Sequence, residues 1–114
     1  MSGRGDGIEN LVMRAKSFIE ARRNSRLSVP DLARSLGLSA SHFHRLFKHQ
    51  TGVSPYQYYL NLRIERAKQM LEQTNQSMSE IAHGLAFDNA YDFSTAFKRR
   101  TGVCPTKWRA CRGR

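Results

Sequence analysis

The chain has 114 residues, with 19 Lys and Arg against 9 Asp and Glu and a formal charge of +10. That length allows one compact unit or two very small ones, and the charge calls for a polyanionic partner, nucleic acid before an anionic membrane. No apolar stretch approaches the roughly 18 residues of a bilayer crossing, and the first residues lack a signal-peptide core. Cys104 and Cys111 are too few for a disulfide framework, so a cytosolic chain is expected.

In chain order, Asp6 is placed to cap a first helix with Glu9 as its capping-box partner. Ile8, Leu11, Val12, Ala15, Phe18 and Ile19 follow at the spacing of one helical face. Arg22 to Leu27 is a polar, basic loop. Ser28 opens a second helix, with Asp31 at its third position and Pro30 tolerated in the first turn. Its inward residues are Leu32, Ala33 and Leu36, and Gly37 supplies a left-handed stop. Leu38 then returns to the core. Ser39 or Ser41 caps a third helix that runs to about Gln50 and stops at Gly52.

Ser54-Pro55 has the form of a helix start. The fourth helix runs to about Gln73, with Leu60, Ile64, Ala67 and Leu71 on one face, and spans about 27 Å. Ser77-Met78-Ser79-Glu80 is a capping box for a fifth helix carrying Ile81, Ala82 and Leu85, and Phe87 takes the role of Leu38. Asp88 is expected to cap a sixth helix that Gly102 ends. Pro105 starts a short seventh helix carrying Trp108. No segment reads as a strand, so the predicted fold class is all-α.

The chain repeats itself. Phe43 to Pro55 returns as Phe93 to Pro105, 50 positions later, and Ser28, Ala33 and Leu36 return as Ser77, Ala82 and Leu85 at an offset of 49. Two copies are too few for a solenoid. They describe two helix-turn-helix subdomains, residues 8–53 and 75–110, joined by a linker helix over 54–74.

In the third helix Phe43, Leu46 and Phe47 form the inward stripe, which leaves Ser41, His44, Arg45 and Lys48 outward. In the sixth, Phe93, Ala96 and Phe97 face in, leaving Tyr91, Ser94, Thr95 and Lys98. Each outward stripe puts hydrogen-bonding side chains near the helix start and a cation further along. A recognition helix has that layout, its first turns meeting base edges and its later residues phosphates. Major-groove faces on one side of B-DNA lie about 34 Å apart, so the fourth helix with its turns approaches the spacing of two reading heads. A shortfall would bend the DNA toward the protein at about 1–6 kcal/mol.

These residues resemble the DNA-binding domain of the AraC/XylS family of bacterial transcription regulators. The resemblance rests on Leu32-Ala33 through Leu38-Ser39 and on Phe43 with Phe47-Lys48, Thr51-Gly52 and Ser54-Pro55. Leu62-Arg63 with Arg66-Ala67 adds to it, as do Ile81-Ala82 through Phe97-Lys98 and Gly102-Val103 with Pro105. It covers nearly all of residues 8 to 110.

The resemblance implies seven helices, with one helix-turn-helix unit in each of two adjacent major grooves. It implies a transcription regulator, most often an activator, that meets RNA polymerase beside double-stranded promoter DNA. Cytoplasmic, nucleoid-associated location in a bacterium follows from the same likeness. By position, Ser41, His44 and Arg45 face bases in one groove and Tyr91, Ser94 and Thr95 in the next. Lys48, Lys98 and Arg99 are expected on phosphates. Arg63 is counted with them, with packing or a surface ion pair as open alternatives.

The chain departs from the family pattern at two places. Thr95 stands where members often carry Arg, and Ala86 where the turn usually has Gly. A left-handed Ala costs about 1–2 kcal/mol.

Neither a metal nor another cofactor is expected, and no catalytic residues. His42 and His44 are two apart on a helix and point to different faces, which does not match metal-ligand spacing. At the N-cap position of Cys104 a thiolate gains from the helix dipole, so a redox role stands beside an inert replacement for serine. Tyr56, Tyr58 and Tyr59 fit packing better than stacking on unpaired bases. The chain reads as the C-terminal module of a longer regulator, an effector entering only through a sensor domain outside it. The alternatives are a small stand-alone activator, the targeting domain of a DNA-processing enzyme, and an RNA-binding protein, the last disfavoured by the narrow A-form major groove.

Overall fold

The computed structural model describes residues 4–22 and 24–111, residues 4–6 by backbone alone, and among them are seven helices and no strand. They are α1 (Arg4–Ala21), α2 (Val29–Ser35), α3 (Ala40–Thr51), α4 (Pro55–Gln73), α5 (Met78–Gly84), α6 (Ala90–Thr101) and α7 (Pro105–Ala110). The all-α, seven-helix expectation is met. No helix among the described residues is long and apolar enough to cross a membrane.

The chain divides into two compact units, and the division falls between Leu60 and Asn61, inside α4. In the first unit α3 packs against both α1 and α2. Its buried side chains are Val12, Ala15 and Ile19 of α1, Leu32 and Ala33 of α2, Phe43 and Phe47 of α3, and Pro55 and Tyr59 of α4. Each of the large apolar groups among them contributes about 1.5–3 kcal/mol by leaving water, which lets seven-residue α2 persist although it is too short to be stable alone.

The second unit buries Ile64, Ala67 and Leu71 of α4 with Ile81, Ala82, Leu85, Phe93 and Phe97, and Trp108 of α7 packs against that cluster.

The helix ends follow from side-chain oxygens that satisfy free backbone N–H groups. Ser28 accepts from Asp31 N–H at 3.3 Å and Ser39 from His42 N–H at 3.1 Å, which selects Ser39 over Ser41 as the α3 cap. Ser77 and Glu80 form the expected capping box, at 3.0 and 2.7 Å.

Two expected caps differ. Asn89, not Asp88, caps α6: its Oδ1 accepts from Asp92 N–H at 2.8 Å. The cap bond reaches three residues along the chain, as it does from Ser39, and Asp88 stands one residue too early. Helix α1 begins at Arg4, so Asp6 lies within it and not before it, and its side chain lies outside the described residues.

The duplication reaches further than the copies visible in the sequence. Ala15-Lys16 and Ile19-Glu20 of α1 match Ala67-Lys68 and Leu71-Glu72 of α4 at an offset of 52. Tyr58 meets Phe47 edge-on at 5.5 Å and donates to Glu20 at 2.8 Å; Trp108 meets Phe97 edge-on at 5.5 Å and donates to Glu72 at 3.0 Å. Lys16 and Lys68 lie over those two rings, at 5.9 and 5.3 Å from their centroids. Helix α4 therefore closes one unit with its first turns and opens the other with its remainder.

Candidate nucleic-acid interface

On α3, Phe43 and Phe47 are buried and meet edge-on at 5.7 Å, which fixes the roll of the helix. A helix turned that way presents Ser41, His44, Arg45 and Lys48 to solvent, and all four are exposed. Helix α6 is set in the same manner by Phe93 and Phe97, at 5.8 Å. Its outward stripe is Tyr91, 77% exposed, with Thr95, Lys98 and Arg99 also exposed and Ser94 half-buried. Both helices stop at a glycine, Gly52 and Gly102, with φ 87° and 83°. Just before each, a threonine hydroxyl accepts from the valine N–H two residues on, at 3.3 Å for Thr51 and 3.2 Å for Thr101.

The last turn of α3 carries Lys48 and His49, and that of α6 carries Lys98, Arg99 and Arg100. The lysines and arginines there oppose the negative end of each helix dipole. The ion pairs Arg34–Asp31 (2.9 Å) and Lys68–Glu65 (2.8 Å) lie off both stripes. Arg112 and Arg114, two further cations of the chain, lie outside the described residues.

Arg63 has a different role from the phosphate contact expected of it. It is 5% exposed, its Nε donates to the Leu85 carbonyl at 2.8 Å, and its guanidinium lies 3.8 Å from the Phe87 ring centroid. A buried guanidinium held on a backbone carbonyl and an aromatic face has no surface to offer a phosphate, so the packing alternative is the one realised.

Arg109 also works internally. Its guanidinium reaches the carbonyls of Leu71 (3.2 Å), Gln76 (2.5 Å) and Thr74 (3.1 Å), tying the end of α4 to α7. The tyrosines are mostly structural: Tyr59 is buried and donates to the Ser25 carbonyl, Tyr58 packs on Phe47, and Tyr56 is about half exposed.

Beside Arg45 runs an open groove that joins three expected site residues, Ser41, His44 and Arg45, to three that the sequence does not mark as such, Val29, Pro30 and Ala40. The start of α2 is remote from α3 in periodicity, and only packing brings the two together. Among the described residues no group of three His, Cys, Asp or Glu is placed to hold a metal.

Comparison with known proteins gives these features a family. A model of the helix-turn-helix domain matches residues 32–110. A transcriptional regulator from Chromobacterium violaceum, of the AraC-type DNA-binding domain-containing proteins, superposes with a TM-score of 0.84 at 34% identity, over 95% of this chain and 96% of that one. The DNA-binding domain of AdpA, a global transcriptional factor crystallised with a target DNA, superposes at 0.74 with 26% identity, over 90% and 89%. The probable transcriptional regulator LumQ of Photobacterium leiognathi is 35% identical over 92 residues, 81% of this chain and 37% of its own length. The chain spans about a third of the length of the curated relatives it matches. With α3 and α6 each set on a phenylalanine pair and the matched region running through both, the chain belongs to the AraC-type helix-turn-helix family of DNA-binding domains.

Proposed function

We propose that the chain is the DNA-binding part of a longer bacterial transcription regulator, an activator, and that α3 and α6 enter two successive major grooves of one promoter duplex. The observation that carries this is the pairing of the two outward stripes. Ser41, His44 and Arg45 on α3 stand 50 positions before Tyr91, Ser94 and Thr95 on α6, each set on a buried phenylalanine pair. One polar helix face is common on any protein; two at equivalent places on a +10 chain are not. Arg45 is the principal base reader, because an outward Arg can bond guanine at two atoms. Ser41, His44, Tyr91, Ser94 and Thr95 complete the base-facing set, and Lys48, Lys98 and Arg99 hold phosphates. The domain acts by binding, with no catalytic step and no cofactor. RNA polymerase is its protein partner, an effector acts through a segment outside this chain, and its place is on the cytoplasmic nucleoid.

Selection of duplexes from a random pool, followed by footprinting, tests the reading. Two half-sites about one helical turn apart are expected. With about 6–8 phosphates neutralised, log K against log salt should fall with a slope of about −5 to −7. Protection of only half a dozen base pairs, or none, would refute it. Equal competition by duplex RNA would move the protein to another class of partner, and Mg²⁺-dependent nicking would make it part of a DNA-processing enzyme.

A further inference from the structure

The groove beside Arg45 has a chemistry the base-contact assignment leaves unused. Val29 and Pro30 at the start of α2 and Ala40, the first residue of α3, give it a carbon wall, and Ser41, His44 and Arg45 of α3 complete the lining. Pro30 and Ala40 are exposed and Val29 half-buried, so the wall is open to a ligand entering beside the α3 stripe.

A base pair in the major groove offers one apolar group, the 5-methyl of thymine. We infer that this groove seats a thymine methyl, next to the base pair that Arg45 reads, and that Val29, Pro30 and Ala40 are specificity-determining residues of the first unit. The inference rests on the reading of α3 as a recognition helix. The occupant follows from the apolar lining and the charge beside it. The cationic rim draws a phosphate-bearing duplex in, and the carbon wall then has only the methyl to meet. The corresponding residues of the second unit, at offsets of 49 and 50, are Met78, Ser79 and Ala90, with Tyr91 in place of Ser41 and Thr95 in place of Arg45. The carbon wall is thus interrupted by a hydroxyl at Ser79, and the methyl seat belongs to the first unit.

The test needs no protein variant to begin with. Duplexes carrying the selected site are titrated with each thymine replaced in turn by deoxyuridine, which removes one methyl and leaves base pairing intact. The base pair read by Arg45 is located first, as the one whose preference relaxes in Arg45→Ala. An adjacent thymine should then show binding about fourfold weaker as deoxyuridine, the loss of one buried methyl. In Val29→Thr and Ala40→Ser that ratio should approach one, whereas Arg45→Ala should weaken both duplexes and keep the ratio. Site-specific binding with no thymine sensitive to its methyl would overturn the inference and leave the recognition-helix reading intact. So would a methyl effect that Val29→Thr and Ala40→Ser leave unchanged. Absence of site-specific binding to any duplex would overturn both.

Discussion

Tyr58 and Trp108 stand at matching positions of the two units, each edge-on to a buried phenylalanine at 5.5 Å and each donating to a glutamate of the preceding long helix. The shells around α3 and α6 are thus near copies in geometry even where the side chains differ. The outward faces are not: Ser41, His44 and Arg45 become Tyr91, Ser94 and Thr95. Two other differences lie at turns. Gly37 holds φ 76° where its counterpart Ala86 holds 64°, and Ser54 caps α4 at 3.2 Å where Cys104 makes no cap bond to α7. The comparison teaches that packing dictates how α3 and α6 are rolled, while the chemistry each presents outward is set by a few exposed positions that packing leaves free. The second unit has Thr95 where the first has Arg45, and it carries the more strained turn.

The largest test of that equivalence is truncation of the core. Phe47→Ala and Phe97→Ala should each cost about 3–5 kcal/mol. Trp108 is the only tryptophan and lies in the second unit, so its emission reports that unit alone. Under denaturant, Phe97→Ala should shift the emission transition, and Phe47→Ala should shift the circular-dichroism transition and leave emission in place. Emission moving equally in both variants would mean that α4 makes the units one cooperative body.

Next in size is the difference between readers. Arg45→Ala should weaken binding by about 1–3 kcal/mol and relax preference at one base pair, whereas Thr95→Ala, which removes a neutral hydroxyl, should cost about 1 kcal/mol or less. Anisotropy titration against the selected site and single-base variants measures both. If Arg45→Ala weakens every sequence alike, Arg45 is a phosphate contact.

The turns come third. Gly37→Ala meets no atom within 4 Å, so its cost is backbone strain alone, about 1–2 kcal/mol. Ala86→Gly relieves the same strain but gives the unfolded chain more freedom, leaving a gain of about 0.5–1 kcal/mol for the second unit. A loss of stability in Ala86→Gly would show that the turn is not strained.

The smallest effect is one of pH. Burial, and then the hydrogen bond to the Glu20 carboxylate and its charge, push Tyr58 up from 10.0 to about 12. The folded state favours the neutral phenol, so its contribution is full below pH 10 and is lost as pH rises toward 12. Chemical denaturation between those values should show a decline in the first unit that Tyr58→Phe removes; an unchanged decline would assign it to other groups.

Much of this was legible in the residues. The apolar spacing in α1 to α6, the caps at Ser28, Ser39 and Ser77 and the stops at Gly52 and Gly102 are local signals, because a helix is held by bonds between near neighbours. The left-handed Ala86 was legible from the family resemblance, whose turn usually has Gly there. Even the Asn89 cap was within reach, since it stands 50 positions after Ser39 and one after Asp88. Local spacing alone names the stripe Ser41, His44, Arg45 and Lys48, for the roll of α3 follows from Phe43 and Phe47.

Elsewhere, long-range packing made the decision. Whether Arg63 met solvent or an interior depended on Phe87 and Leu85, over twenty residues away. The groove beside Arg45 needed the start of α2 brought against α3, and the dual service of α4 needed both cores to form. Periodicity along a chain specifies which face of a helix is apolar, because that depends on neighbours a few residues apart. It carries no record of which distant side chain will cover a given polar group, and there the tertiary structure alone decided.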